Sequence, residues 1–257
     1  FIFSLFFKIL STGASNTSVG SLSLDANTAG SFNTGVGVHA LGLNTTGGTN
    51  TAVGNQALFN NTTGSNNIAV GGNSLVNATT ANGNVAVGFQ ALDACTTGGS
   101  NTAVGNDALG GNTTGTENTA VGSEALIANT TGTGNVAVGR ECLMSSTTAS
   151  ENVAIGKLTM RNTTTAAGNV AVGHDAMRLN TTGGNNTAIG YDAMRSTTTG
   201  TNNVATGHEA GKAITTGAGN TCIGQETGDN ITTGSGNTLV GRNDATAAVG
   251  TTNSIVL

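Results

Sequence analysis

A repeat of 17 residues runs through most of this 257-residue chain. Gly recurs every 17 residues from Gly20 to Gly241, and an Asn stands four residues before each of these 14 glycines. The shared pattern is N-[TV]-A-[VI]-G-x-x-A-[LM]-x-x-N-T-T-G-x-x, of which "NTAVGNQALFNNTTGSN" at residues 50–66 is one copy. A period kept this strictly is typical of a solenoid, in which each repeat is one coil and stacked coils share a core. Repeat positions are numbered from the Asn as position 1.

Within each copy the residue pattern is that of short strands and turns. Positions 1–5 alternate small and β-branched side chains, which predicts a strand, and no helical periodicity is present. The "xxAL" stretch, as at residues 55–58, is predicted to be a second short strand, and "TTG" a turn in which Gly supplies a positive φ. We therefore predict an all-β fold, a parallel β-solenoid or β-roll of about fourteen coils spaced by about 4.8 Å.

Three regions are expected along the chain. Residues 1–15 are an apolar N-terminal segment, either a strand used in assembly or the remnant of a secretory signal. Residues 16–245 form the solenoid, and residues 246–257 an irregular coil or strand. The apolar run "FIFSLFFKIL" at residues 1–10 is too short to span a bilayer, so a membrane-spanning protein is not expected.

Each repeat position becomes a column of stacked side chains. Position 1 Asn is predicted to bond coil to coil or to hold a turn, position 5 Gly to turn a corner, and positions 4 and 9 to form dry apolar seams. In two adjacent coils this structural ladder comprises Asn50, Val53, Gly54, Leu58, Asn67, Val70, Gly71 and Leu75. The sequence alone does not decide which face of the strand is interior. If Ala at position 3 faces inward, Val and Ile face outward as an apolar stripe, a feature that signals an interface.

The sequence offers little that would support chemistry. We predict no catalytic residue, no metal and no cofactor, because His174 and His208 lie two coils apart and the three Cys fall in different columns. Charged residues make up 8% of the chain and the net charge is −5, so nucleic acid is not an expected partner. Later copies carry an acidic and a basic column in which each acid stands three residues before a base, so the two columns are expected to compensate each other. They are interpreted as a solvated face or as a binding patch: Asp175, Asp192 and Glu209, and Arg178, Arg195 and Lys212.

Two further columns suggest modification or surface recognition. Asn-Thr-Thr matches the N-glycosylation acceptor at Asn44, Asn61, Asn112, Asn129, Asn162 and Asn180, although the same residues serve equally well in turns. Thr recurs at position 13 in 13 copies, which raises ice binding as a minor hypothesis that thermal hysteresis would test.

The five-residue core of the repeat resembles a known family. "NTAVGNQA" at residues 50–57, "NVAVGFQA" at 84–91 and "NVAIGKLT" at 152–159 resemble head repeats of YadA-type trimeric autotransporter adhesins, and the longer NTAVGxxAL arrays look like those of phage tail-fibre-like proteins. The resemblance covers about residues 16–245. It implies a left-handed β-roll, often a homotrimer, that serves as an extracellular stalk or adhesive head.

The function expected from these features is structural. We expect an extracellular or cell-surface protein, or alternatively part of a virion fibre, whose subunits assemble end to end into a filament. The terminal residues expected to carry this assembly are Phe1, Phe3, Phe6, Phe7, Ile255, Val256 and Leu257. The alternative is an adhesin or tail-fibre-like protein, a homotrimer for example, that presents a face to a glycan or surface ligand.

Overall fold

The computed structural model describes residues 12–243, 250 and 252–256, which form fifteen strands and no helix. The chain divides into two compact units, one up to Asn118 and one from Thr119 onward. The strands of the first unit are β1 Thr17–Val19, β2 Thr34–Val36, β3 Thr51–Val53, β4 Ile68–Val70, β5 Val85–Val87 and β6 Thr102–Val104. Those of the second are β7 Thr119–Val121, β8 Val136–Val138, β9 Val153–Ile155, β10 Val170–Val172, β11 Thr187–Ile189, β12 Val204–Thr206, β13 Thr221–Ile223, β14 Thr238–Val240 and β15 Ile255–Val256. Within this part of the chain there is no helix to cross a membrane.

In each unit every strand pairs in parallel with the strand one repeat away. Thr51 lies opposite Ile68 and Val53 opposite Val70 in the first unit, and Val170 lies opposite Thr187 in the second. Each coil therefore contributes one strand at positions 2–4, and coils succeed one another every 17 residues. This confirms the predicted all-β parallel β-solenoid.

The interior face of the strands carries Ala, which corrects the predicted role of the Val column. Ala52 is fully buried, whereas Val53 is 36% exposed and Ile223 is 42% exposed. A Cβ added at Gly35, which occupies position 3, would lie 2.6 Å from Oγ of Ser23 at position 8. Positions 3 and 8 thus face each other across the interior. The prediction that Val53 and Val70 form a dry seam is wrong, because strand alternation turns position 4 toward solvent once position 3 is inside.

The stretch after the Gly corner is a turn and not the predicted second strand. Gln56 and Leu58 have φ values of 55° and 52°. Local hydrogen bonds run from the backbone N–H of Phe59 to the carbonyl of Gln56, 3.3 Å, and from that of Asn61 to the carbonyl of Leu58, 3.3 Å. Leu58 is nevertheless fully buried, so the left-handed backbone directs position 9 into the core, and this half of the predicted seam is confirmed.

Gly64, the Gly of "TTG" in its coil, lies in a crowded place and does not supply the positive φ that was predicted. A Cβ at Gly64 would lie 2.3 Å from the carbonyl oxygen of Ala81 and 2.4 Å from Oδ1 of Asn61. Besides positions 7 and 9, positive φ values fall at the position 5 Gly, +139° for Gly54, and at position 17, 61° for Asn66.

The predicted assembly residues are only partly described. Phe1, Phe3, Phe6, Phe7 and Leu257 lie outside the described residues. Ile255 and Val256 form β15, which pairs in parallel with β14 in the register of the other coils, Thr238 opposite Ile255. The N–H of Ser254 donates to Oδ1 of Asn237 at 3.0 Å, as an Asn does in the other coils. Ile255 is 77% exposed.

Candidate functional site

The position 1 Asn forms a buried ladder that bonds successive coils. The side-chain amide of Asn50 donates to Oδ1 of Asn33 at 3.2 Å and to the carbonyl of Gly64 at 2.8 Å, and its backbone N–H donates to the same Oδ1 at 3.0 Å. Asn67 repeats these contacts with Asn50, and both Asn are fully buried. Each Asn therefore satisfies backbone groups of two coils, which is the coil-to-coil bonding expected of Asn50 and Asn67.

A second buried Asn ladder occupies position 12, and it removes most of the predicted glycosylation sites. Asn61 donates from Nδ2 to Oδ1 of Asn44 at 2.7 Å and to the carbonyl of Gly64 at 3.0 Å. Fully buried members of this column, all predicted acceptors, are Asn44, Asn61, Asn112, Asn129 and Asn180. A glycan would have to attach to the same buried Nδ2, so these five assignments are wrong. Asn162 stands one position earlier and is half-buried.

The two Thr columns differ in what their hydroxyls do. Thr62 at position 13 donates from Oγ1 to the carbonyl of Thr79 in the next coil at 3.0 Å, and Thr198 does the same to Thr215 at 3.2 Å. The position 13 column considered for ice binding is therefore engaged within the solenoid. Position 14 Thr, such as Thr63, is exposed.

The three Cys are buried and are not joined by disulfides. Burial raises the pKa of Cys95 to about 11 and that of Cys142 to about 12, so both stay protonated near neutral pH. Cys95 takes the place of a position 12 Asn, and its Sγ lies 3.3 Å from the carbonyl of Gly98. These thiols act as small core residues.

Charged and aromatic side chains collect on one face of the second unit, at positions 6, 7 and 10. We call this face the charged strip. Its members are Glu141, Arg161, His174, Asp175, Arg178, Tyr191, Asp192, Arg195, His208, Glu209 and Lys212.

The charged strip is layered, with carboxylates inside and cations outside. Asp175 and Asp192 at position 7 are only 7% and 5% exposed. The side chains of Arg178 and Arg195 at position 10 are 31% and 38% exposed, and that of Lys212 is 34% exposed. The predicted acid-to-base pairing is confirmed, but Asp175 and Asp192 are buried rather than solvated.

Each acid lies against a base of its own or a neighbouring coil. Arg161 donates from Nε to Glu141 at 2.9 Å, and this hydrogen bond holds the pKa of the Glu141 carboxyl below its ordinary value. Nε of Arg178 and of Arg195 lie 3.6 and 3.7 Å from Oδ1 of Asp175 and Asp192. Lys212 lies 2.9 Å from Glu209 and 4.0 Å from Asp192, so one ammonium links two coils.

A stack of three rings runs beside these ion pairs at position 6. The ring centroids of His174 and Tyr191 are 5.5 Å apart with planes inclined by 11°, and those of Tyr191 and His208 are 5.3 Å apart with planes inclined by 10°. Near-parallel rings at this separation attract as offset stacks. From the sequence, His174 and His208 were interpreted as two coils apart, and Tyr191 in the coil between them was not recognised. The shared repeat position of residues 174, 191 and 208 could have indicated the stack.

The remaining candidate sites are weaker. A shallow cavity of about 170 Å³ in the first unit is lined by Leu22, Asp25, His39, Leu43 and Phe59, which is small beside the 300–1,000 Å³ typical of ligand pockets. Within the described ranges no three His, Cys, Asp or Glu side chains are grouped so as to hold a metal ion.

Comparison with known proteins gave no match to a family model, a curated protein or a solved structure.

Proposed function

We propose that this protein is an extracellular structural protein, a β-solenoid subunit that assembles through its terminal segments into a surface fibre or filament. The observation that supports it most is the uniformity of coil-to-coil bonding. Asn33 with Asn50 and Asn203 with Asn220 make the same contacts, with backbone N–H to Oδ1 distances of 3.0 and 2.9 Å. A coil added at an open edge, from the same chain or another, would meet the same donors and acceptors.

End-to-end assembly is tested by removing the segments that would carry it. The full chain, a variant lacking residues 1–10 and a variant lacking residues 254–257 would be compared by light scattering and negative-stain imaging at increasing concentration. We expect filaments from the full chain and shorter species from both truncations. A full chain that remains monomeric at high concentration would rule out this mode of assembly.

The outward Val and Ile columns support contact between the sides of subunits as well. Ile155, Ile189 and Ile223 at position 4 are 40%, 41% and 42% exposed and lie in one column of the second unit. This apolar column is interrupted by Thr206 in β12, and an exposed apolar stripe of this kind is a common mark of an interface. It favours the alternative in which copies associate laterally, as in the homotrimers of the adhesin heads that the repeat resembles.

A ligand-binding adhesin or tail-fibre-like protein is the second candidate function, and the charged strip favours it. Elsewhere the repeat varies little, but the strip concentrates the partly exposed Arg178 and Arg195 and the exposed Tyr191 on one face. Replacement of these residues should abolish attachment to a glycan or surface ligand while leaving assembly intact. Attachment that survives the replacement would direct the search to another face.

A further inference from the structure

The described cations of this chain are confined to one part of the solenoid. Of its eight Lys and Arg residues, seven stand at positions 6 and 10 from residue 140 to residue 242, and Lys8 lies outside the described residues. Residues 12–118 contain none. Copies with and without these cations are otherwise similar in fold, so the coil itself does not require them. Their placement is instead a feature of the surface.

The buried carboxylates orient the cations of the charged strip. Asp175 and Asp192 contact the Nε side of Arg178 and Arg195, and no hydrogen bond to a described residue engages the Nη groups of these two side chains. These contacts of 3.6 and 3.7 Å are ion pairs without a hydrogen bond, and an ion pair on the Nε side leaves the Nη donors to a second, external anion. With the acids 7% and 5% exposed, the layer that a ligand meets is positive even though the chain as a whole has a net charge of −5.

The strip repeats along one axis. Arg161, Arg178, Arg195 and Lys212 occupy position 10 of consecutive coils, so parallel pairing spaces their backbones by about 4.8 Å. The edges of the ring stack run alongside, with Tyr191 48% exposed, and offer hydroxyl and imidazole groups. A row of evenly spaced cations next to polar ring edges fits a linear polymer with one anionic group per unit or per few units.

We propose that the charged strip binds an acidic polysaccharide, a chain bearing carboxylate or sulfate groups, with Arg178 and Arg195 as the central contacts. This rests on the second proposed function, ligand binding, and names its ligand class. Nucleic acid fits less well, because single-stranded binders stack bases on free aromatic faces, whereas both faces of Tyr191 are covered by His174 and His208.

Binding of the full chain to a heparin oligosaccharide and to an oligogalacturonate tests the proposal, with a neutral dextran oligosaccharide and a single-stranded DNA oligomer as comparisons. We expect salt-sensitive binding of at least one acidic glycan. In the double variant Arg178→Gln/Arg195→Gln its dissociation constant should rise about tenfold or more, since two charge-assisted contacts are lost. The matched control Arg140→Gln/Arg242→Gln removes the same charge at position 6, two or more coils away from Arg178 and Arg195, and should change it less than about twofold.

A charge-preserving variant distinguishes loss of a binding contact from loss of the fold. Arg178→Lys/Arg195→Lys keeps the pairs with Asp175 and Asp192 but loses the planar fork, so we expect an intermediate loss of affinity with an unchanged circular dichroism spectrum. Equal loss in the Gln variant and its control, or tighter binding of the DNA, would overturn the ligand class. Attachment to neutral glycan alone would also overturn it while leaving a ligand-binding function standing, and absence of binding to every glycan tested would overturn both.

Discussion

Asn101 donates both its backbone N–H and its side-chain amide to Oδ1 of Asn84, at 2.9 and 3.2 Å. Asn84 in turn donates to Oδ1 of Asn67 and to the carbonyl of Gly98. One buried amide therefore satisfies groups in three successive coils, and it does so without any side chain outside the ladder.

Substitution of Asn84 tests how much this Asn ladder contributes to the free energy of unfolding. Asn84→Ala should lower the free energy of unfolding by about 2 kcal/mol or more, because it leaves the N–H of Asn101 buried without a partner and the carbonyl of Gly98 with only the Cys95 thiol. Urea denaturation followed by circular dichroism measures the loss. Asn60→Ala is the control, since Asn60 makes an exposed bond to Asn77 and should cost less than about 0.5 kcal/mol. Equal midpoints for the two variants would contradict the structural role.

Two glycines of neighbouring coils should respond differently to the same change. Gly54 has a φ of +139° and a Cβ there would meet the carbonyl oxygen of Gly71 at 2.5 Å, whereas the nearest atom to a Cβ at Gly72 is in the Phe89 ring at 3.5 Å. Gly54→Ala should destabilise the protein by at least about 2 kcal/mol, and Gly72→Ala should be nearly neutral. The melting temperatures of the two variants test this prediction. A Gly54→Ala protein with the melting temperature of the parent would contradict the close approach of Gly54 to the Gly71 carbonyl oxygen.

The core column at position 9 should accept Met more readily than Ala. Leu92, Met160 and Met177 are all fully buried at this position. Leu92→Met should therefore cost less than about 1.5 kcal/mol, while Leu92→Ala should cost about 2–5 kcal/mol because it leaves a cavity. Urea midpoints of the two variants check the order, and its reversal would place the column outside the core.

The corrected orientation of the strands gives a paired prediction on β11. Ile189 is 41% exposed and Ala188 is fully buried. Ile189→Thr should change stability by less than about 1 kcal/mol, as Thr206 already occupies this column in the next strand, and Ala188→Val should cost about 1–3 kcal/mol by overpacking. If the Thr variant proved the less stable of the two, Val and Ile would be interior after all. Sedimentation of Ile189→Thr also reports whether lateral association weakens.

Acidification should weaken the pair between Glu141 and Arg161. The pKa of this carboxyl is lowered from its ordinary 4.5 by the bond from Arg161, so its contribution to stability is present above that value and is lost as the pH falls through the lowered one. The pair is partly exposed, which limits the effect to about 1 kcal/mol. Melting temperatures from pH 7 to pH 3 should therefore fall more for the parent than for Glu141→Gln, and parallel curves would contradict the linkage.

The sequence was sufficient for the period, the strand at positions 2–4 and the parallel stacking, because the Gly and Asn columns specify where each coil begins. It was insufficient for the face of the strand, since alternation alone allows either Ala52 or Val53 to be interior, and only the opposing wall at position 8 decides. The turn at residues 55–58 was misread because Leu58 adopts a left-handed backbone that Leu rarely occupies. A local pattern gives no warning of a conformation that is fixed by bonds to the next coil.

The candidate site was found in part for a related reason. Acid and base three residues apart indicated the pairs Asp175 with Arg178 and Asp192 with Arg195. Burial of the acids depends on neighbouring coils that cover them, which the spacing alone does not reveal. The prediction of glycosylation from the Asn-Thr-Thr motif was wrong for the same reason. The side-chain amide of Asn61 is buried and donates to Oδ1 of Asn44 in the preceding coil.

The common register of the strands also bears on how such a chain changes length in evolution. Because Ile68 contacts Val85 as Thr51 contacts Ile68, recombination that duplicates or deletes one whole repeat joins coils whose surfaces already fit. A slip of a single residue would instead place Gly beneath Val throughout the downstream coils. Related genes should thus differ in length by whole repeats, and insertions of single residues within a repeat should be rare.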